Sequence, residues 1–343
     1  MHKVISVVVF LISLLFHVSA GADDEGRKHG GYTLSPYDIP ASLGDTSLFD
    51  LEKGGRFIVG TYLGRCFFNA SSDCFNAFGF DQHDKSFTSY NVGKNFTNFV
   101  TALSDLAVVG STDQPDGRRV GTIWPRKSSH GTWKKIMEPL LPSFPKRGPI
   151  IIDINPFLGT SLLGVNNRGH LVGAVQKPDL TFRGFVIAEG QISIFNYPNA
   201  QSTLAEGIRK DGTIVGNYIL NGRSHGFLRH PSGKKFVSFD VPNSCETAIY
   251  DTNDAGDLAG AYFDCVSQQV RGYVFTSKRQ LIPIIHPGVG TFATEVRGLD
   301  EKGNIAGRFD TDIGGVKKRH GFIGLLKGLS AKDDEDDDEE EDD

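Results

Sequence analysis

The segment KDGTIVGNYILNGRSHGF, Lys210 to Phe227, reads as two short β-strands bounded by tight turns. The turns KDG and NGR are rich in Gly, Asn and Asp, as antiparallel hairpins require. The segment recurs three times, as NNRGHLVGAV with RGFV, NDAGDLAGAY with RGYV, and DEKGNIAGRF with HGFI. Two less regular copies, RFIVGTY and LAVVGST, lie upstream. The chain is therefore built from repeated units.

Six glycines mark equivalent positions in these units, and they are spaced 43 to 63 residues apart: Gly60, Gly110, Gly173, Gly216, Gly260 and Gly307. Each complete unit has four strand-like runs, and four antiparallel strands in about 44 residues are typical of a propeller blade. The last unit has only three runs, and YTLSPYDIPAS (Tyr32 to Ser42) aligns with the missing fourth. We predict an all-β, six-bladed β-propeller of four-stranded antiparallel blades, closed by an N-terminal strand that completes the last blade.

The repeated pattern G-[IV]-N-x-x-G-x-[IVL]-[VA]-G-x-[YF], followed by H-G-F-[LV], resembles the probable extracellular repeats called the HAF family. The resemblance is strong from Leu163 to Phe322 and weaker upstream, where the second unit has Gly121-Thr122 in place of Gly-Phe. It implies secretion and a propeller-like repeat, and it assigns no activity.

The N-terminus has the features of a secretory signal. Lys3 precedes an apolar run, Val4 to Phe16, and small residues follow up to Ala22. The run is shorter than the roughly 20 apolar residues of a membrane-spanning helix, and no later segment is suitable. The alternative is a buried N-terminal helix. We predict a signal peptide (1–22), one propeller domain (23–328), an acidic tail (329–343), and a secreted protein with no membrane span.

The tail segment Asp333–Asp343 carries a charge of −11, and such a block does not pack into a core. It is either a solvated tail that aids solubility or a weak site for Ca²⁺ or a basic surface. Nucleic acid is not an expected partner, because the basic excess of the chain is local. The sequence leaves the oligomeric state open.

Four cysteines in a secreted chain suggest two disulfides. Cys245 and Cys265 lie about equally far from the centre of one hairpin turn, so we predict that they face each other. Cys66 and Cys74 bracket an enlarged loop in the first unit, and we predict a second bridge there; free buried thiols are the alternative. Two sequons, Asn69-Ala-Ser and Asn95-Phe-Thr, fall in predicted inter-strand loops and are candidate glycosylation sites.

The sequence contains no signature of a catalytic, cofactor-binding or metal-binding site. The segment from Asp251 to Gly256 comes closest to a calcium loop, but Ala255 stands where an oxygen ligand is needed. A basic residue precedes each Gly-Phe or Gly-Tyr: Arg183, His225, Arg271 and His320. Because it recurs in every regular unit, we expect a structural role, such as a bond from His225 to Asp240.

Departures from the repeat are better candidates for function. At one position before the turn glycine stand Asn166, Arg209, Asn253 and Asp300, a varied set that we expect near the mouth of the central channel. They are candidate ligands for a small polar molecule, or solvated turn residues. The second unit also contains an insertion, Arg126 to Arg147, with six basic residues and one glutamate. We predict a surface loop in which Trp133, Lys134 and Lys135 bind an anionic glycan or the acidic tail; a loop without function is the alternative.

Three functions remain open. The first is a secreted binding or adhesion module for an extracellular glycan or protein. The second is a hydrolase or lyase acting at the channel mouth, although the sequence shows no matched pair of catalytic groups. The third is a matrix or cell-wall component whose acidic tail binds calcium.

Overall fold

A computed structural model describes residues 31–39, 45–52, 54–66, 69–92, 97–141, 143–145 and 148–326. For residues 65–66, 69–72 and 127 it describes only the backbone. The predicted signal peptide, the acidic tail and the sequon asparagine Asn95 lie outside the described residues.

Within this part of the chain, 24 strands and one α-helix are present, and the predicted all-β class is confirmed. Strand β1 (Tyr32–Tyr37) is followed by six sets of strands that we call S1 to S6; S1 to S5 have four strands each and S6 has three. S1 comprises β2 (Thr46–Glu52), β3 (Phe57–Cys66), β4 (Asn69–Asp81) and β5 (Ser86–Ser89); S2 comprises β6 (Thr97–Leu103), β7 (Ala107–Asp113), β8 (Arg119–Pro125) and β9 (Ile150–Ile152). S3 comprises β10 (Gly159–Val165), β11 (Leu171–Gln176), β12 (Phe182–Ala188) and β13 (Gln191–Phe195); S4 comprises β14 (Ser202–Ile208), β15 (Ile214–Leu220), β16 (Arg223–Arg229) and β17 (Phe236–Phe239). S5 comprises β18 (Ser244–Thr252), β19 (Leu258–Asp264), β20 (Gln269–Phe275) and β21 (Leu281–Ile284); S6 comprises β22 (Thr291–Leu299), β23 (Ile305–Ile313) and β24 (Val316–Leu326).

The strands of each set pair antiparallel in chain order. Strand β1 pairs antiparallel with β24, from Tyr32 opposite Leu326 to Tyr37 opposite Gly321, and so adds the fourth strand to S6. Single parallel pairs join S2 to S3 and S5 to S6. The first strands of successive sets pack side by side, and β22 also packs against β2, so the series returns to its start.

The repeated glycine is explained by a bulge in the first strand of each set. In S4 the pairing of β14 with β15 shifts between Ala205 and Gly207, which leaves Glu206 as the extra residue. A Cβ atom on Gly216 of β15 would lie 2.0 Å from the carbonyl oxygen of Leu204, so only glycine fits opposite the bulge. The other five glycines of the column would likewise place a Cβ within 2.5 Å of a first-strand carbonyl.

The repeated aromatic residue fills the core beside that glycine. Phe78, Phe185, Phe227, Tyr273 and Phe322 have no exposed surface. In S4, Phe227 lies directly opposite Gly216 in the β15–β16 pairing. The pattern Gly-x-Tyr followed by Gly-Phe is therefore a packing unit in which a small residue of one strand faces a ring of the next.

A threonine hydroxyl or an asparagine amide oxygen in the first strand of each set accepts a hydrogen bond from the segment that precedes the set. The backbone N–H of Val241 donates to Oγ1 of Thr247 at 2.9 Å, and Tyr197 and Thr203 are joined in the same way. The equivalent acceptors in the other sets are Oγ1 of Thr46, Thr160 and Thr294, and Oδ1 of Asn98 in S2. The recurring threonine thus stabilises the connection from one set to the next.

The insertion in S2 differs from the predicted surface loop. It contains a 3₁₀ turn (Lys127–Ser129) and helix α1 (His130–Met137). Trp133 and Met137, four residues apart on one helix face, are fully buried against S2 and S3. The indole Nε1 of Trp133 donates to the carbonyl of Leu106 at 3.1 Å. Among the described residues no helix is long and apolar enough to cross a bilayer.

The enlarged first unit also differs from the expected loop. The extra residues lengthen the β3–β4 hairpin, and Asn69 is the first residue of β4 instead of a loop residue. Cys74 is disulfide-bonded, while the side chain of Cys66 lies outside the described part. Cys245 and Cys265 form a disulfide with a Cα–Cα distance of 5.3 Å.

Candidate ligand-binding cavity

The bulges direct one side chain from each set toward a common space. These six residues, which we call the bulge ring, are Phe49, Thr101, Leu163, Glu206, Tyr250 and Arg297. All six line one cavity of about 330 Å³, which we call the central cavity. The turns that follow the first strands form its rim. The position is thus set by the fold, whereas the identity of the side chain is free to vary.

The bulge ring has two chemically different sides. Consecutive sets S4, S5 and S6 contribute Glu206, Tyr250 and Arg297, which are polar or charged. Sets S1 and S3 contribute the apolar side chains Phe49 and Leu163. The Thr101 hydroxyl between them is already used, because it donates to the carbonyl of Leu162 at 2.9 Å. A ligand in this cavity would meet charge on one side and hydrocarbon on the other.

Three carboxyl groups of the cavity lining lie at or directly after a bulge residue. Asp50 accepts hydrogen bonds from the backbone N–H groups of Leu51 (2.7 Å) and Leu103 (2.8 Å). Asp251 accepts them in the same way from Thr252 and Leu299, both at 2.8 Å. The two aspartates each follow a bulge residue and join the first strands of neighbouring sets.

The third carboxyl group, Glu206, accepts a hydrogen bond from Nδ2 of Asn217 at 3.2 Å. Burial raises the pKa of Glu206 to about 7, although Arg297 and Asn217 oppose the rise. Burial also raises the pKa of Asp251 to about 7, and burial with the charge of Asp251 raises the pKa of Asp50 well above its usual range. The cavity therefore holds carboxyl groups that titrate near neutral pH.

Arg297 lies across the polar side of the cavity. Its guanidinium stacks on the ring of Tyr250, with 3.7 Å from Cζ to the ring centroid, and ion-pairs with Glu295 at 2.5 Å. Glu295 also pairs with the buried Arg308 at 2.9 Å. Burial works against ionisation of Glu295, but the two arginines hold its pKa well below the usual range. The Tyr250 hydroxyl is buried and has no hydrogen-bond partner among the described residues.

The residues that the sequence nominated at the channel mouth lie at the rim and bond to neighbouring turns. Asn166 donates from Nδ2 to the carbonyl of Arg209 (2.9 Å), and Nε of Arg209 donates to Oγ1 of Thr252 (2.9 Å). Asn253 donates from Nδ2 to the carbonyl of Asp300 at 3.3 Å. Three of the four nominated residues line the cavity, and Asn253 does not.

The turns that contain Asn166, Arg209, Asn253 and Asp300 are thus joined by hydrogen bonds into a chain that we call the turn belt. Asn166, Asn253 and Asp300 are at most 6% exposed, so the alternative of solvated turn residues is wrong for these three. Their polar groups are bonded within the protein, which makes them poor candidates for a ligand site. Asp300, for example, accepts hydrogen bonds from the backbone N–H of Lys302 and Asn304.

Charged side chains of both signs surround the cavity. The basic residues of its lining are Arg209, Lys210, Arg297 and Lys302. Outside the three cavity carboxyl groups, the acidic residues of its lining are Glu52, Asp105, Asp254, Asp300 and Glu301. Acidic groups are therefore in excess. In the part of the chain that the structure describes, no cluster of three or more His, Cys, Asp or Glu residues is arranged to hold a metal ion.

The insertion presents fewer side chains for ligand binding than the sequence predicted. Trp133 is fully buried and presents no ring face for stacking on a sugar, which corrects that prediction. Arg126 is held by the carboxylate of Glu52 and the carbonyl of Ser104. Lys134 and Lys135 are exposed on α1, as a surface contact would require.

Three of the four basic residues before Gly-Phe and Gly-Tyr pair with an aspartate of their own set: His225, Arg271 and His320. Arg183 instead donates to the carbonyls of Phe182 and Gln201. Nδ1 of His225 lies 3.0 Å from Oδ2 of Asp240, the contact expected from the sequence. Nδ1 of His320 lies 2.7 Å from Asp38, which β1 brings to the same place in S6. The structural interpretation of these residues therefore holds.

Comparison with known proteins gives information on the fold alone. No family model and no curated protein matches the chain. TolB from Acinetobacter baumannii is similar in structure, with a TM-score of 0.50 and 7% sequence identity over 83% of this chain and 65% of TolB. The chain thus spans about two thirds of the length of TolB.

Two further solved structures are more distant. A putative TolB from Agrobacterium tumefaciens has a TM-score of 0.48 and 10% identity, covering 71% of this chain and 82% of the other. The β-propeller domain of the Trilobed protease from Pyrococcus furiosus has a TM-score of 0.44 and 11% identity, covering 84% and 95%. The pairing of the strands and the similarity to TolB together identify an all-β protein of the β-propeller type, built from sheets of four antiparallel strands.

Proposed function

We propose that this chain is a secreted, six-bladed β-propeller that binds a small polar ligand in its central cavity. S1 to S6 are the six blades, and β1 closes the ring by completing the last one. The observation that carries the proposal is the bulge ring. Six equivalent positions of a regular repeat hold six different side chains, and all of them line one cavity. A site of purely structural importance would not require this variety.

The two-sided lining supports a ligand that has both hydrocarbon and polar groups. Phe49 and Leu163 offer an apolar wall, and Glu206, Tyr250 and Arg297 offer polar partners. Ligand sites commonly combine an apolar lining with a few polar groups that fix orientation. The excess of acidic groups disfavours an anionic glycan here, because like charges repel.

The test is a thermal-shift screen of small sugars, amino acids and amines against three proteins. Leu163→Trp fills the cavity from its apolar side. Val237→Trp is the matched control, because Val237 is 50% exposed on the outer strand β17. We expect at least one compound to stabilise the wild type and V237W but not L163W. Stabilisation that is equal in all three proteins would place the ligand elsewhere and contradict the proposal.

Catalysis in the same cavity is a second candidate, and the titration of Glu206 and Asp251 near neutral pH favours it. General acids and bases work best when their pKa lies close to the working pH. A hydrolase or lyase of this kind would lose turnover in Glu206→Gln while it retained ligand binding. A binding module would show no turnover in either protein.

The remaining sequence predictions complete the proposal. The resemblance to HAF-type extracellular repeats and the signal-like N-terminus support secretion, and glycans at Asn69 and Asn95 would fit it. Lys134 and Lys135 on α1 are the exposed cations through which an extracellular partner or the acidic tail would contact the insertion. Calcium binding by the tail belongs to the matrix-component alternative.

A further inference from the structure

The central cavity has an unbalanced arrangement of charge. Asp50, Glu206 and Asp251 come from three different first strands and line one space. Each is hydrogen-bonded by backbone N–H groups or by an amide. Among the described residues, no lysine, arginine or histidine hydrogen-bonds or ion-pairs with any of the three. The nearby guanidinium of Arg297 ion-pairs with Glu295, and it acts on Glu206 only through its electric field, which lowers the pKa of Glu206.

Glycines in the adjoining strands keep these carboxyl groups close together. A Cβ on Gly298 would lie 3.0 Å from Oδ1 of Asp50, and Oδ2 of Asp251 accepts from the N–H of the next residue, Leu299. Both aspartates therefore contact the same short stretch of β22. A Cβ on Gly207, the neighbour of Glu206, would lie 3.3 Å from Oδ1 of Asp251. The three groups lie along one arc of the cavity.

Tyr250 provides an independent sign of a missing partner. It is 8% exposed, it lines the same cavity, and its hydroxyl is without a hydrogen-bond partner among the described residues. A buried hydroxyl of this kind is normally satisfied by protein, water or a ligand. Its ring already binds one cation, the guanidinium of Arg297, at 3.7 Å. The wall can therefore hold positive charge against an aromatic face.

We propose that the central cavity binds a small organic ammonium ion, with Asp50, Glu206 and Asp251 as counter-charges and the Tyr250 hydroxyl as a hydrogen-bond partner. The apolar groups of the ligand lie against Phe49 and Leu163. The inference rests on the proposed function, since it names the class of ligand for the same cavity. Binding is coupled to proton release, because a bound cation favours the ionised form of each carboxyl group.

The test uses choline and its neutral isostere 3,3-dimethylbutan-1-ol, which differ by one charge at almost constant shape. Isothermal titration at pH 5 and pH 8, in two buffers of different ionisation enthalpy, reports affinity and proton release together. Choline keeps its charge at both pH values, so any change in its affinity between pH 5 and pH 8 reports the ionisation of groups in the protein. The other charged groups of the lining are the four basic and five acidic residues named above. Of the nine, burial raises the pKa of Asp300 and Glu301 and lowers that of Arg209. Burial works against ionisation of Arg297, but the carboxylate of Glu295 raises its pKa.

We expect choline to bind at least tenfold more tightly than the isostere at pH 8, and to release more protons on binding at pH 5, where the carboxyl groups are mostly protonated, than at pH 8. A single required carboxylate that titrates near pH 7 is about 1% ionised at pH 5, which sets an upper limit of about 100-fold weakening at that pH. Glu206→Gln should weaken choline binding at pH 8 by about tenfold, since it removes one counter-charge. The matched control Glu138→Gln alters an exposed carboxyl group on α1 and should leave binding unchanged.

The outcomes separate this inference from the proposed function. Equal binding of both probes, blocked by L163W, would overturn the cation proposal and leave a ligand-binding cavity. The same conclusion follows if choline does not bind at millimolar concentration while another compound of the screen binds and is blocked by L163W. Choline binding that is retained in L163W would contradict both proposals. The melting temperature of each variant shows whether it has folded.

Discussion

Replacement of Glu206 by glutamine should stabilise the protein at alkaline pH and have little effect at acidic pH. In the folded protein burial raises the pKa of Glu206 to about 7, from an ordinary value of 4.5. As the pH rises from about 4.5 to about 7, the unfolded chain loses this proton and the folded protein retains it. The free energy of unfolding therefore falls through this window and is constant above it. Glutamine does not titrate, and its Oε1 can still accept the hydrogen bond from Asn217.

The expected gain in stability follows from the shift in the pKa of Glu206. A difference of about 2.5 pKa units corresponds to an upper limit of about 3 kcal/mol. Glu206 retains some contact with solvent in the cavity, so we expect about 1–2 kcal/mol, which is a rise of roughly 2–8 °C in melting temperature. Differential scanning calorimetry at pH 4.5, 6 and 8, at one scan rate, measures it. E138Q is the control and should change the melting temperature at no pH.

Two results would contradict this expectation. If E206Q were less stable than the wild type at pH 8, Glu206 would be ionised and stabilised by Arg297. A difference that did not change with pH would show that the carboxyl group does not titrate in this range.

Three further substitutions and one control variant test the contacts that build the fold. Asn253→Ala removes buried hydrogen bonds of the turn belt and should cost about 2–4 kcal/mol. Asn167→Ala removes the exposed hydrogen bonds between Asn167 and the neighbouring turn at Asp105, and should cost less than about 1 kcal/mol. Thr247→Val keeps the shape of the side chain but leaves a backbone N–H without its acceptor, and should cost about 1–3 kcal/mol. Trp133→Ala should cost about 3–5 kcal/mol, because it empties a fully buried site. Thermal unfolding of each variant against the wild type provides the measurement.

Each of these expectations has a contradicting outcome. Equal losses for N253A and N167A would show that burial does not determine the strength of the belt. Unchanged stability in T247V would mean that the recurring threonine is not needed for the connection between sets. A W133A variant as stable as the wild type would indicate that α1 is not packed as described.

The strand pattern was predictable from the sequence because a local cause recurs in every unit. Column glycines such as Gly216 are required by the bulge opposite them, and aromatic residues such as Phe227 pack beside them. The addition of β1 to S6 was also predictable, since Tyr32 to Ser42 matches the fourth strand of the other units. The helical insertion was missed. Its only signal was the four-residue spacing of Trp133 and Met137, which is too short to separate a helix from a loop.

The four turn residues selected from the sequence follow the first strands, and three of them line the central cavity beside the bulge ring. Turn residues such as Asn166 and Asn253 vary in sequence, and the pattern alone does not show that they bond to the next turn. The bulge ring had a signal, because its members stand 9 to 11 residues before the column glycines and include Phe, Thr, Leu, Glu, Tyr and Arg. That column is the most varied one in a regular strand. Its meaning depends on the bulge, which turns the side chain into the cavity.

The most direct test of the central claim is a crystal structure of the protein with a ligand identified in the thermal-shift screen. We expect difference density inside the central cavity, between Glu206 and Phe49, within hydrogen-bond distance of Glu206 or the Tyr250 hydroxyl. Density on the surface of α1, or at the outer strands, with an empty central cavity would contradict it.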